Sequence, residues 1–176
     1  MRWTIFLVVA LAAVILQVGT SQVLGLGEQR VMPDLLLLVA LVVAFRGPRE
    51  EALLACWGLG LLKDLTSVAP LGAYAVSFGV LAWVVVGLRE WLYGPRLLPQ
   101  VVVLLAGGLF VEHVVWWVCL VKGVPVMERY WGFLSTALLT GGLTAALYPY
   151  GLWVLTKLGR ALGLEGPGRF RMLRGR

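Results

Sequence analysis

The chain has 176 residues, of which 60% are hydrophobic and only 14% are charged. A soluble domain of average composition has roughly 45–50% apolar and about 25% charged residues, so this composition excludes an ordinary soluble protein. The formal net charge is +6, but the basic residues form no patch among solvent-facing aromatics, and we therefore predict no binding to nucleic acid.

Six apolar segments follow one another along the chain. A helix that spans the membrane needs about 20 mostly apolar residues, because the hydrocarbon core is about 30 Å thick. The first segment, residues 3–26, begins like a signal peptide but is too long for a signal-peptide core, so we predict an uncleaved helix. The other five segments are residues 35–45, 52–62, 72–88, 100–121 and 131–155.

The second and third segments are short for a membrane span. Between them, Pro48 is suited to the first turn of a helix, and Glu50 and Glu51 favour its positive N-terminus. Either flanking residues lengthen these two helices, or the hairpin lies in a thinned or protein-shielded part of the membrane. The sequence leaves both explanations open.

The distribution of lysine and arginine predicts the orientation, because cytoplasmic connections carry an excess of these residues. Of the 15 basic residues, the side that holds both termini would carry Arg2, Arg46, Arg49, Arg89, Arg96, Lys157, Arg160, Arg169, Arg171, Arg174 and Arg176. We therefore predict an all-α polytopic membrane protein with six transmembrane helices and cytoplasmic N- and C-termini. Residues 1–158 form its single membrane domain, and residues 159–176 form a basic tail attracted to anionic membrane lipids.

No catalytic, cofactor-binding or metal-binding motif stands out, so we predict that the protein is not an enzyme and needs no cofactor. Gly58 and Gly60 precede Lys63 but lack the ending of a phosphate-binding loop, and close helix packing explains them better. Cys56 and Cys119 lie inside apolar runs, which is typical of packing residues.

Glu112 and His113 lie near the middle of the fifth segment, where an ionisable group costs a few kcal/mol or more unless it is paired. The favoured interpretation is an internal polar contact that orients this helix. The alternative is a proton-coupled carrier in which Glu112 carries the proton and His113 relays it.

The sixth segment carries hydroxyl groups at every fourth position beside a stripe of small residues, and such a face packs closely against another helix. We expect internal packing, with a partner's helix as the alternative. The residues concerned are Thr136, Thr140, Thr144 and Tyr148, with Ala137, Gly141 and Ala145 beside them.

Two aspartates fall on the predicted outer side. Asp34 suits the positive N-terminus of the second helix. Asp64 follows the third apolar run, where the helix dipole disfavours a negative charge, so Lys63 or Arg30 is expected to compensate it.

The motifs around these aspartates resemble those of the MreD family. They are Pro33-Asp34-Leu35-Leu36-Leu37-Leu38, Gly60-Leu61-Leu62-Lys63-Asp64-Leu65 and Pro70-Leu71-Gly72-Ala73-Tyr74-Ala75. The chain departs from the family pattern at Lys63 and in the turn at residues 67–69. The resemblance marks Pro33, Asp34, Gly60, Asp64, Pro70, Leu71 and Gly72 as structural or partner-binding candidates.

The resemblance implies a non-enzymatic scaffold of the cell-elongation complex for peptidoglycan synthesis, in the bacterial inner membrane. Its partner would be MreC, with indirect links to MreB, to RodA and to the penicillin-binding partner of RodA. A groove of small and apolar residues would hold a partner's span, and the outer loops with Asp34 and Asp64 would orient its extracytoplasmic domain. The family is also similar in fold to substrate-binding subunits of energy-coupling-factor transporters, which implies an outward cavity and the alternative of a vitamin-binding subunit.

Overall fold

A computed structural model describes residues 2–23, 32–92, 97–123 and 130–162. These ranges contain six α-helices and no strand, which confirms the all-helical prediction. The helices are α1 (Trp3–Val23), α2 (Leu35–Arg46), α3 (Arg49–Thr66), α4 (Ala73–Leu92), α5 (Leu97–Val121) and α6 (Tyr130–Leu162).

Helix α2 is the centre of the bundle, and it contacts each of the other five helices. Every residue from Leu36 to Phe45 is buried. Its 12 residues give a length of only about 18 Å. A helix that is apolar all round is normally buried in a core, and the short α2 is surrounded by the other helices of the bundle, which agrees with the protein-shielded alternative.

The third apolar segment belongs to a longer helix, α3. It extends over Arg49–Thr66 and includes charged residues on both flanks of the apolar run. The helix therefore extends beyond both ends of the predicted third segment, residues 52–62. The helix continues because Lys63 and Asp64 are buried and have partners inside the protein.

Helices α3 and α4 pack closely against each other at Gly60. A Cβ atom on Gly60 would lie 2.6 Å from both the Ala75 Cα and the Tyr74 carbonyl oxygen. Only glycine leaves room for such an approach, so the prediction of close packing at this glycine is confirmed. Gly58 has nothing within 4 Å of the same hypothetical atom.

The outside of the bundle is rich in large exposed apolar side chains, including Leu7, Trp83, Leu139 and Trp153. An apolar exterior of this extent marks a surface that contacts lipid or other proteins. Two helices in the described ranges are long and apolar enough to cross a membrane, at Pro99–Val121 and Trp131–Leu155. Shorter apolar helices cover Trp3–Gly19, Leu35–Arg46 and Ala73–Arg89.

Helix α6 continues through Pro149 and ends at Leu162, a few residues beyond the predicted boundary of the membrane domain. The division into a domain and a tail stays a prediction. Arg30 and the tail beyond Leu162 lie outside the described residues.

Candidate functional site: a polar cavity at one end of the bundle

The bundle contains a polar cavity of about 230 Å³ at the end where α2 begins and α3 ends. Its lining comes from α1, α3, α4, α5 and α6, and from the residues just before α2. The polar lining residues are Gln17, Asp34, Lys63, Glu112, Thr136 and Thr140, with Tyr74 and Phe133 as aromatic walls. Residues from five helices and from the start of the remaining one, α2, therefore meet at this site.

Lys63 is the central charge of the cavity. Its ammonium group pairs with the Asp34 carboxylate and lies 3.8 Å from Glu112 Oε1. One lysine thus connects the N-terminus of α2, the last part of α3 and the middle of α5. A buried charge is strongly unfavourable unless it is paired, so these three side chains depend on one another.

Aromatic rings complete the surroundings of Lys63. Its Nζ lies 4.1 Å from the centroid of the Tyr74 ring and 5.5 Å from that of Phe78. A cation over an aromatic face is attracted by the ring quadrupole, and more strongly where water is excluded. Helix α4 therefore contacts the Lys63 ammonium through its aromatic rings, in addition to the two carboxylates.

Asp34 has a second role as the N-cap of α2. Its side chain accepts a hydrogen bond from the Leu37 N–H at 3.1 Å, and its own N–H donates to Thr144 Oγ1 at 2.9 Å. Gln17 Oε1 accepts from the Leu36 N–H at 3.3 Å. These bonds satisfy N–H groups that a helix start leaves without a partner, so the predicted position of Asp34 at this N-terminus is confirmed.

Asp64 caps a different helix from the one that carries it. Its carboxylate accepts from the backbone N–H groups of Gly72 at 3.0 Å, Tyr74 at 2.9 Å and Ala75 at 3.0 Å. Gly72 has φ +96° and no side chain with which to cap α4. The positive N-terminus of α4 thus stabilises a carboxylate that the dipole of α3 disfavours.

This geometry corrects two expectations about the aspartates. Lys63 compensates Asp34 and Glu112 rather than Asp64, whose compensation comes from the N-terminus of α4. Asp34 and Asp64 are also only 5% and 4% exposed, so neither side chain lies on an outer loop from which it could orient a partner's domain.

The other residues of the resembling motifs have structural positions near these caps. Pro33 is buried beside Asp34, and the Pro70 carbonyl accepts from the Ala73 N–H at 3.1 Å. Leu71 is 71% exposed, so its side chain is accessible to a partner. Whether any of them binds a partner stays a prediction.

The members of the Glu112–His113 pair have different surroundings. Glu112 lines the cavity and is 27% exposed in its side chain. His113 Nδ1 lies 2.7 Å from the Leu109 carbonyl, and its ring contacts Phe133 edge-on. Adjacent residues of a helix point about 100° apart, so the two do not share one set of partners.

The hydroxyl-bearing face of α6 packs inside the protein, as expected. Thr144 and Tyr148 are fully buried, and the Tyr148 hydroxyl donates to Gln100 Oε1 at 2.7 Å. Thr136 and Thr140 line the cavity. In the part of the chain that the structure describes, no group of three His, Cys, Asp or Glu residues could hold a metal ion.

Sequence reasoning missed Gln17 and Tyr74 as site residues, and it gave Lys63 the wrong partner. The available signal was the number of charges near one end of the bundle. Glu112 needed a cation inside the membrane, and Lys63 directly follows the third apolar segment on that side. The hydrophobic periodicity of the sequence does not give the rotation of each helix about its own axis, which decides the side chains that face the centre.

A family model described as rod shape-determining protein MreD matches residues 1–153 of the chain. Neither the curated proteins nor the solved structures contain a significant match. The similarity to transporter substrate-binding subunits therefore stays a prediction.

Proposed function

Because the chain belongs to the MreD family of rod shape-determining proteins, we propose that it is a non-enzymatic membrane scaffold of the cell-elongation complex that binds MreC within the membrane. The family is one of structural membrane proteins with a role in rod shape. The proposal adds six spans with both termini in the cytoplasm, and indirect links through MreC to MreB, to RodA and to its penicillin-binding partner.

The observation that carries the proposal is an apolar groove of about 460 Å³ between α1, α2 and α6. Its walls include Val8, Ala12 and Leu16 of α1, with Leu147 and Gly151 of α6. Small residues let a second helix approach closely, and long apolar side chains on both sides form a channel for it. We expect the single apolar span of a bitopic partner such as MreC to pack on this groove.

The bundle offers a second, smaller groove for comparison. It has a volume of about 270 Å³ and lies between α4 and α5, with Val84, Ala106 and Phe110 in its walls. Ala12 and Ala106 are both exposed, and each lies in one of the two grooves. The same substitution can therefore fill either groove without adding or removing a charge.

The experiment is co-purification of the full chain with MreC in mild detergent, at matched expression of wild type, Ala12→Trp and Ala106→Trp. We expect the wild-type complex to survive, Ala12→Trp to reduce the recovered MreC by about tenfold or more, and Ala106→Trp to leave it unchanged. A tenfold loss corresponds to about 1.4 kcal/mol. Loss with Ala106→Trp alone would assign MreC to the other groove, and the absence of any wild-type complex would refute the scaffold proposal.

The vitamin-binding alternative has less support from the size of the polar cavity. Pockets for drug-sized ligands have volumes of about 300–1,000 Å³, and this cavity has about 230 Å³. It suits a ligand of a few heavy atoms better than a vitamin.

A further inference from the structure

We propose that the polar cavity binds a small organic cation, whose primary ammonium group is held by the Glu112 carboxylate. The proposal concerns the cavity at the α2 N-terminus and not the groove assigned to MreC, so it does not depend on the scaffold function.

The first argument is charge. Among the described side chains that line the cavity, the carboxylates of Asp34 and Glu112 share the ammonium of Lys63. Two carboxylates thus share one ammonium among these described side chains. An ionised carboxylate in a low-dielectric setting is costly unless a cation pairs with it, so a cation that enters the cavity would complete the pairing.

The second argument is geometry, which shows that Glu112 is the carboxylate with the less complete pairing to Lys63. Lys63 donates a hydrogen bond to Asp34, whereas its Nζ is 3.8 Å from Glu112 Oε1. Hydrogen bonds from nitrogen to oxygen have lengths of about 2.7–3.2 Å, and an ionised carboxylate has about four acceptor sites. Glu112 therefore retains acceptor capacity, and its side chain is 27% exposed on the cavity side.

The third argument is the chemistry of the walls. Thr136 and Thr140 place hydroxyl oxygens on the α6 side, and these can accept from the remaining N–H donors of an ammonium group. Met32, Phe133 and Ala137 supply apolar surface, which suits a carbon chain better than a hydrated inorganic ion. The volume of about 230 Å³ limits that chain to a few atoms.

A primary ammonium group of this kind has two sources at a membrane. One is a free small amine, and the other is the headgroup of an aminolipid such as phosphatidylethanolamine. Both present the same group to Glu112. The experiment therefore has a site arm, which tests binding at Glu112, and a source arm, which tests whether a lipid or a free amine supplies the group.

The site arm measures equilibrium binding of radiolabelled methylammonium to the purified full chain in detergent at constant ionic strength. We expect saturable binding to wild type at about one ligand per chain. Glu112→Gln keeps the shape but removes the charge, and it should weaken binding by about tenfold or more, since hydrogen bonds to charged groups are stronger than those to neutral groups. Glu50→Gln, at an exposed carboxylate outside the cavity, should leave binding unchanged.

A second variant keeps the test decisive if Glu112→Gln does not fold. Thr136→Leu fills the cavity without touching the charge cluster, and it should abolish binding. No saturable binding to folded wild type, or equal binding by wild type and both cavity variants, would overturn the proposal. Tetramethylammonium has no N–H donor, and its failure to compete is expected.

The source arm repeats the measurement in nanodiscs. If the lipid supplies the group, phosphatidylethanolamine nanodiscs should suppress methylammonium binding relative to phosphatidylglycerol nanodiscs. Equal binding in both lipids supports the site with a free amine as its ligand.

Discussion

The Lys63 ammonium and the Asp34 carboxylate form a buried ion pair that joins the end of α3 to the beginning of α2. Asp34 is at the same time the N-cap of α2, so one carboxylate satisfies both a lysine and a helix terminus. Since α2 contacts all the other helices, this pair holds the central helix in register with the α3–α4 hairpin.

Replacing Lys63 by methionine should destabilise the protein strongly. Lys63→Met keeps the length of the side chain but leaves Asp34 and Glu112 without their ammonium partner. Breaking a buried ion pair from one side costs about 3–5 kcal/mol, so we expect a clear fall in the thermal unfolding midpoint in detergent. The matched control is Lys157→Met, because Lys157 is exposed on α6 and stacks over Trp153. A Lys63→Met midpoint equal to that of wild type would show that the buried pair contributes nothing to stability.

Removing the Asp64 carboxylate should loosen the start of α4. Asp64→Ala leaves three backbone N–H groups without their acceptor, and buried unsatisfied donors cost about 1–3 kcal/mol. Hydrogen exchange at Tyr74 and Ala75 should become faster than in wild type. Glu50→Gln serves as the control, because that carboxylate is exposed on the first turn of α3. Unchanged protection of the two amides would contradict the capping role.

The two glycines of α3 form a matched pair for the packing argument. In Gly60→Ala the new methyl group would meet backbone atoms of α4 at 2.6 Å, so the helices must move apart and the unfolding midpoint should fall. In Gly58→Ala the methyl group enters open space, and alanine's higher helix propensity should stabilise the helix by up to about 1 kcal/mol. Unfolding of both variants in the same detergent checks the prediction, which fails if the two substitutions have the same sign.

The six-span topology can be tested by labelling from outside the cell. Val68 is 97% exposed between α3 and α4, and Glu50 is exposed at the opposite end of α3. A membrane-impermeant maleimide should label Val68→Cys in intact spheroplasts but should label Glu50→Cys only after lysis. The natural cysteines, Cys56 and Cys119, are buried, and the parent chain measures their background. The reverse pattern would place the termini outside.

The sequence by itself determined the all-helical class of this protein, the order of its helices and its family. Apolar runs of the right length can only be helices in lipid, and the motifs around Asp34 and Asp64 carry the resemblance that the family model confirms. The N-cap role of Asp34 was also predictable, because capping is a local interaction between a side chain and the next turn of its own helix.

The tertiary structure alone decided which helix is central and which charges meet. Every segment is apolar nearly all round, so no amphipathic periodicity distinguishes the buried α2 from the outer helices of the bundle. Asp64 caps α4 from α3, and Lys63 contacts Asp34 and Glu112 across helices. These contacts depend on the rotation and depth of packed helices, which are set by long-range packing and not by the residues next to them in the chain.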